Sequence, residues 1–150
     1  MGLFRRRNPA QEAAESAARG AIQFDPEGPE RAAAEARDAA SRGDYAVAFE
    51  RGVKGVDRLH DFYVFERFRN RQPSEADAPI VGCLLDSLRL LRERDSQCDV
   101  RDGVVEATHR LRTISTATDG IGGNSALYRQ GLDGLAALAP DVDVSGVFWS

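Results

Sequence analysis

The sequence predicts an all-α fold, an antiparallel helical bundle or a short helical-repeat stack of about five helices. Between residues 29 and 139, apolar side chains recur at steps of three and four, the spacing of one face of an α-helix. Proline, glycine and capping residues divide this pattern into segments. Only the end of the chain alternates apolar and polar residues in the manner of a strand.

The chain of 150 residues has the size of a single domain, and 42% apolar with 29% charged residues is typical of a globular protein. Residues 1–28 contain a short alanine-rich stretch with little to bury, followed by glycine and proline, and we expect a mobile N-terminal arm there. Residues 29–141 form the predicted helical domain. Residues 142–150 form an apolar C-terminal tail that is expected to dock on it.

The first two predicted helices are joined by a tight turn. Pro29 suits the first position of a helix that ends at Gly43, and Asp44 suits the N-cap of a second helix that continues to about Arg69. The apolar stripe of this second helix consists of Tyr45, Phe49, Val53, Val56, Leu59 and Tyr63.

Three further helices follow. The third carries Ile80, Leu84 and Leu88 on one face and ends in the charged run 92–95, and the fourth ends at the glycine-rich break of residues 119–123. The caps and breakers that define these helices are Pro79, Asp99, Asn124 or Ser125, and Pro140.

Residues 29–62 resemble one tetratricopeptide repeat unit. The run Gly43-Asp44-Tyr45 followed by Ala48 is similar to the start of the second helix of such a repeat, where glycine allows the turn and alanine lets the helices approach. Repeats of this class need about three units for a stable stack. The resemblance implies stacked helix pairs. The sequence departs from the family pattern at Ala32, Ala39, Gly52, Gly55 and His60.

A helical protein-interaction module, an adaptor or scaffold without catalytic activity, is the function that the sequence favours. The aromatic residues of the predicted helix 44–69 occupy more than one face, so some of them need a surface other than the core. Aromatic and arginine side chains are enriched at binding hot spots. The expected partner is another protein or a second copy of this chain. The residues expected to contact it are Phe62, Phe65, Phe68, Arg58 and Arg69.

The alternative is a di-metal carboxylate bundle, as an enzyme or a metal-binding protein. A carboxylate three residues before a histidine occurs twice, and such a pair shares one helix face. Ferritin-like bundles combine two such pairs with carboxylates from two other helices. The competing interpretation is a solvated helix face and a histidine at the rim of the core. The candidate metal ligands are Glu35, Asp57, His60, Asp86, Glu106 and His109.

The sequence gives little support to other functional classes. The net charge of −4 disfavours dedicated nucleic-acid binding, and no cofactor motif, nucleophile elbow or phosphate loop is present. Membrane contact is not expected. Arg5-Arg6-Arg7 beside Leu3-Phe4 is interpreted as a solvated tail, and the alternative is contact with an anionic surface. Two cysteines give no disulfide framework, which favours a cytoplasmic protein, and the arginine and alanine bias suggests a bacterial source.

Overall fold

The computed structural model describes residues 28–64, 77–119 and 125–145. The described residues contain five helices and no strand, which confirms the all-α fold class. The helices are α1 (Gly28–Ser41), α2 (Tyr45–Val64), α3 (Ala78–Arg94), α4 (Arg101–Asp119) and α5 (Ser125–Leu138).

The turn between α1 and α2 forms as the sequence predicts. Gly43 has a φ of +81°, a left-handed conformation that a residue without a β-carbon adopts at little cost. The Gly43 amide donates to the carbonyl of Ala40, and the Asp44 amide donates to the carbonyl of Ala39. This pair of bonds is the Schellman motif that ends a helix. The carbonyl of Asp44 then accepts the amide of Ala48 and so begins α2.

Two aspartates precede the next helices, and neither caps its helix in the expected way. Asp77 occupies the N-cap position of α3, but its side chain forms no capping hydrogen bond. Asp99, predicted to be the N-cap of α4, lies one residue earlier, and its Oδ1 accepts the amide of Arg101 at 3.0 Å. The carboxylate still satisfies one of the free amides of the first turn.

The helices pack in an order that follows the chain. Helix α2 packs against α1, α3 and α4, and α3 packs against α1, α2 and α5, whereas α4 also contacts α5. Every one of these pairs is one or two places apart in chain order. Gly52 faces Leu84 and Gly55 faces Ile80, so α2 and α3 are antiparallel. Phe49 meets Gly103 and Asp57 meets Arg110, so α2 and α4 are parallel.

Helices α2 and α3 approach each other closely at Gly52. A β-carbon built on Gly52 would lie 2.9 Å from the Cα of Leu84, closer than two such atoms normally come. Glycine therefore permits the backbones of α2 and α3 to meet here. The contact brings the apolar stripe of α2 directly onto that of α3.

The core contains the stripes that the sequence predicts for α2, α3 and α4. Leu59, Leu84 and Leu111 are fully buried, and Tyr45 of the predicted α2 stripe lies partly buried at its edge. On α5 the most buried large side chains are Leu135 and Tyr128, the second of which was not predicted. The C-terminal residues Val142 and Val144 also pack on the core, whereas residues 146–150 lie outside the described part of the chain.

Across the ranges that the structure describes, none of the helices combines the length and apolar character that crossing a membrane would require.

Candidate functional site

A groove between α2 and α4, with the end of α3 at its base, has a volume of about 350 Å³. We call it the acidic groove. Its apolar base is formed by Phe49, Val53 and Leu91. Its rim carries five carboxyl groups and a single basic side chain, that of Lys54. The carboxyl groups belong to Glu50, Asp57, Asp99, Asp102 and Glu106.

Helical spacing places these groups together. On α2 the lining residues Ala46, Glu50, Val53 and Asp57 are three or four positions apart and so share one face. At the start of α4, Asp99 just before the helix and Asp102 and Glu106 within it are likewise three and four positions apart. Because α2 and α4 run parallel, the two acidic rows lie side by side, and each spans roughly 10 Å along its helix.

Gly103 sets the width of the groove. A β-carbon on Gly103 would lie 2.5 Å from Cε2 of the Phe49 ring, so the ring occupies the space that a side chain would fill. Phe49 is only 6% exposed. The ring therefore forms the base of the acidic groove and holds α2 against α4.

Asp57 and Glu106 form a carboxyl pair across the groove. Burial first, and then the hydrogen bond and negative charge of Glu106, raise the pKa of Asp57 to about 7. The positive charges of Arg110 and Lys54 oppose this shift, and Arg110 Nε lies 3.3 Å from Asp57 Oδ1. Asp57 therefore gains or loses a proton near neutral pH, and the charge of the groove changes in the same range.

Two carboxylates on the rim remain available to a ligand. Glu50 and Asp102 are exposed and form no ion pair with any residue in the three described ranges. They lie on opposite sides of the groove, one on α2 and one on α4. A cation between them would have a carboxylate on each side.

A second polar cluster is buried where α2, α3 and α5 meet. The hydroxyls of Tyr63 and Tyr128 both donate to the same oxygen of Asp77, and the two hydroxyl oxygens are 3.4 Å apart. Asp77 is fully buried, and burial together with its hydrogen bond raises the pKa of Tyr128. The cluster joins the three helices.

A second groove, of about 430 Å³, lies between α4, α5 and the segment after α5. Its walls are mainly apolar, with Leu132, Ala136 and Val142 among them, and Arg112 donates to the carbonyl of Val144 at 3.4 Å. The C-terminal segment itself forms one wall. We call this the C-terminal groove.

The residues predicted to contact a partner fall into two groups. Phe62 is 5% exposed, so its ring lies inside the fold and presents almost no surface, and Arg58 is half-buried. Phe65, Phe68 and Arg69 lie outside the described residues. Neither Phe62 nor Arg58 is among the described residues that line the acidic groove.

Of the six predicted metal ligands, the structure brings together Asp57 and Glu106. Glu35 instead pairs with Arg51 at 3.8 Å, and Asp86 pairs with Arg89 at 3.5 Å, on the outer faces of α1 and α3.

The two histidines are placed differently from each other. His60 is buried with its Nδ1 3.5 Å from Asp61, and His109 is half-buried. Within the described part of the chain, no three His, Cys, Asp or Glu side chains are arranged to hold a metal ion.

Sequence reasoning missed most of the acidic groove. The spacing of Glu50 to Asp57 and of Asp99 to Glu106 shows that each acidic row shares a face, but nothing in the sequence shows that α2 and α4 lie side by side. The one local signal was Gly103, because a glycine in the first turns of a helix indicates a close approach by another element.

Comparison with protein-family models, with curated proteins and with solved structures finds no match for this chain.

Proposed function

We propose that this protein is a helical interaction module whose acidic groove binds a segment of a protein partner. The segment carries an apolar side chain flanked by arginine or lysine. The observation that supports the proposal is the composition of the groove, an apolar base beneath five carboxyl groups and one lysine.

The two parts of the groove have different roles in binding. An apolar side chain on Phe49 and Val53 would contribute affinity by removing apolar surface from water, about 25 cal/mol per Å². Cationic groups beside Glu50 and Asp102 would speed association and select basic partners over acidic ones. The volume of about 350 Å³ is at the lower end for ligand pockets and fits one or two side chains.

The packing order of the helices also supports an interaction module. In the described residues every packed pair is one or two places apart in the chain, and α1 is not among the helices that pack on α5. Such near-neighbour packing is characteristic of helical-repeat stacks, which present extended binding surfaces. The proposed tetratricopeptide-like character of α1 and α2 agrees with this order. The free state of Cys83 and Cys98 agrees with a cytoplasmic location.

Binding should depend on pH through Asp57. Its pKa of about 7 is set by burial and by Glu106, against Arg110 and Lys54, and Glu50 and Asp102 face the same space. A cationic ligand favours the ionised carboxylate, so binding should strengthen as the pH rises through about 7.

The test is fluorescence anisotropy with a labelled amphipathic peptide of leucine and arginine, and an otherwise identical peptide with glutamate for arginine. We expect the first peptide to bind and the second not to. The double substitution Glu50→Lys with Asp102→Lys should weaken binding at least about tenfold, because close charge pairs at interfaces contribute more than about 1.4 kcal/mol.

A matched control makes the same charge change elsewhere. Asp86 and Glu93 flank Arg89 on the exposed face of α3 and are not among the residues that line the groove. The double substitution Asp86→Lys with Glu93→Lys should leave the affinity nearly unchanged. Equal weakening by both double variants would mean that overall charge, and not the groove, controls binding. Stoichiometric iron, manganese or zinc in the purified protein would instead favour the metal-binding alternative.

A further inference from the structure

We propose that residues 3–7 of the same chain, Leu3-Phe4-Arg5-Arg6-Arg7, bind in the acidic groove and compete there with the partner. We call these residues the basic N-terminal segment. The inference rests on the proposed function, and it adds a regulatory occupant to the same site.

The chemistry of the segment matches that of the groove. Leu3 and Phe4 supply two adjacent apolar side chains, and the next three residues are arginines with no acidic residue among them. The groove has an apolar base and a rim with four more carboxyl groups than basic groups. Guanidinium groups form two parallel hydrogen bonds with a carboxylate, which makes arginine the stronger partner for such a rim.

The start of α1 places the segment within reach. The carbonyl of Pro29 lies 3.5 Å from a β-carbon built on Gly55, and Gly55 is two residues from Asp57 of the groove. The chain therefore enters α1 within about one helix diameter, 10–12 Å, of the groove. From Arg7 to Gly28 there are 21 residue steps, 28 minus 7, and an extended chain of that length spans up to about 70 Å.

Tethering makes even a weak contact effective. A linker of about this length holds its end at an effective concentration in the millimolar range. If the free segment binds with a Kd of roughly 100 μM, the groove is occupied about 90% of the time and a competing ligand binds about tenfold more weakly.

The other basic and aromatic run of the chain is less well placed. It includes Arg67, Arg69 and Arg71, between Val64 and Asp77. The two residues that flank this run both lie at the C-terminal end of α2, because the hydroxyl of Tyr63 donates to Asp77. The part of α2 that lines the groove ends earlier, at Asp57. Both residues that flank this run therefore lie beyond the groove along α2.

The test uses the full chain, with the labelled amphipathic peptide of leucine and arginine as the probe. The variant Arg5→Ala with Arg6→Ala and Arg7→Ala should bind the probe about tenfold more tightly than the wild type. A synthetic peptide of residues 2–8 should displace the probe from this variant. The matched control, Arg37→Ala with Arg42→Ala and Arg89→Ala, removes the same charge from exposed positions that do not line the groove, and it should retain wild-type affinity.

Three results would overturn the inference. The first is equal affinity of the probe for the wild type and the Arg5–Arg7 variant, which leaves the proposed function intact. The second is an equal gain in the control variant, which would reflect net charge alone. The third is competition that depends on protein concentration and accompanies a dimer in sedimentation, since a second copy would then be the occupant. Failure of the probe to bind any variant would instead contradict the proposed function itself.

Discussion

Replacing Gly52 by alanine tests how α2 meets α3. The new methyl group would lie 2.9 Å from the Cα of Leu84, 3.5 Å from its amide nitrogen and 3.6 Å from its Cβ. The closest of these atoms is backbone, which cannot rotate away, so the two helices must separate by several tenths of an ångström. That separation would loosen the contact between the fully buried side chains Val56 and Leu59 and the facing stripe of α3.

The magnitude follows from two opposing effects. Alanine is favoured over glycine inside a helix by about 1 kcal/mol. Overpacking a core typically costs 1–3 kcal/mol, and the contact here is with backbone, so we take about 3 kcal/mol or slightly more. The expected net loss in the free energy of unfolding is about 2 kcal/mol.

Gly82→Ala is the matched control, because a β-carbon on Gly82 meets no atom within 4 Å. This variant should gain about 0.5–1 kcal/mol from helix propensity alone. Urea unfolding followed by circular dichroism at 222 nm measures both values. A Gly52→Ala protein as stable as the wild type, or more stable, would refute the close approach of α2 and α3.

Three further predictions concern the polar groups and the groove. Asp57→Asn should stabilise the fold at pH 8 but not at pH 4. The pKa of Asp57 is about 7 in the folded state and 3.8 in the unfolded state, so the wild type loses stability as the pH rises from about 4 to about 7. A pKa difference of about three units corresponds to about 4 kcal/mol in the free energy of unfolding. Because Asp57 is partly exposed and lies near other charges, we expect a gain of about 1–2 kcal/mol for the variant. Tyr128→Phe should cost about 1–3 kcal/mol in urea unfolding, because a buried carboxylate loses one donor. Gly103→Ala should displace the Phe49 ring and weaken peptide binding by anisotropy.

Each of these predictions has a contrary result. Parallel stability curves for wild type and Asp57→Asn between pH 4 and 8 would exclude the raised pKa. Unchanged urea midpoints for Tyr128→Phe would show that the hydroxyl contributes nothing to the buried cluster. Peptide affinity that survives Gly103→Ala would show that the position of the Phe49 ring does not shape the binding site.

The helices could be predicted because their signals are local. The stripe from Phe49 to Tyr63 and the turn at Gly43 depend on residues a few positions apart, and the structure places both as expected. Tyr128 was missed because a tyrosine is buried only where its hydroxyl finds a partner, and that partner, Asp77, is 51 residues away. The role of Asp77 has no local signal either, because its carboxylate accepts hydrogen bonds from α2 and α5 and does not cap its own helix.

The candidate site could not be predicted for a related reason. Both acidic rows are visible in the sequence as the exposed faces of two helices, and solvated charge is the ordinary interpretation of such a face. Their meeting depends on the parallel packing of α2 and α4, which are separated in sequence by the whole of α3. The carboxylate-to-histidine spacing did single out Asp57 and Glu106, but for a metal site and not for a shared proton.

The location of the bound peptide tests the account most directly. In ¹H–¹⁵N correlation spectra of the full chain, titration with the leucine–arginine peptide should shift the amides of Ala46, Glu50 and Gly103, which line the acidic groove. The amides of Leu132 and Ala136 in the C-terminal groove should move little. The largest shifts at Leu132 and Ala136, or shifts spread evenly over all helices, would contradict the assignment of the acidic groove as the binding site.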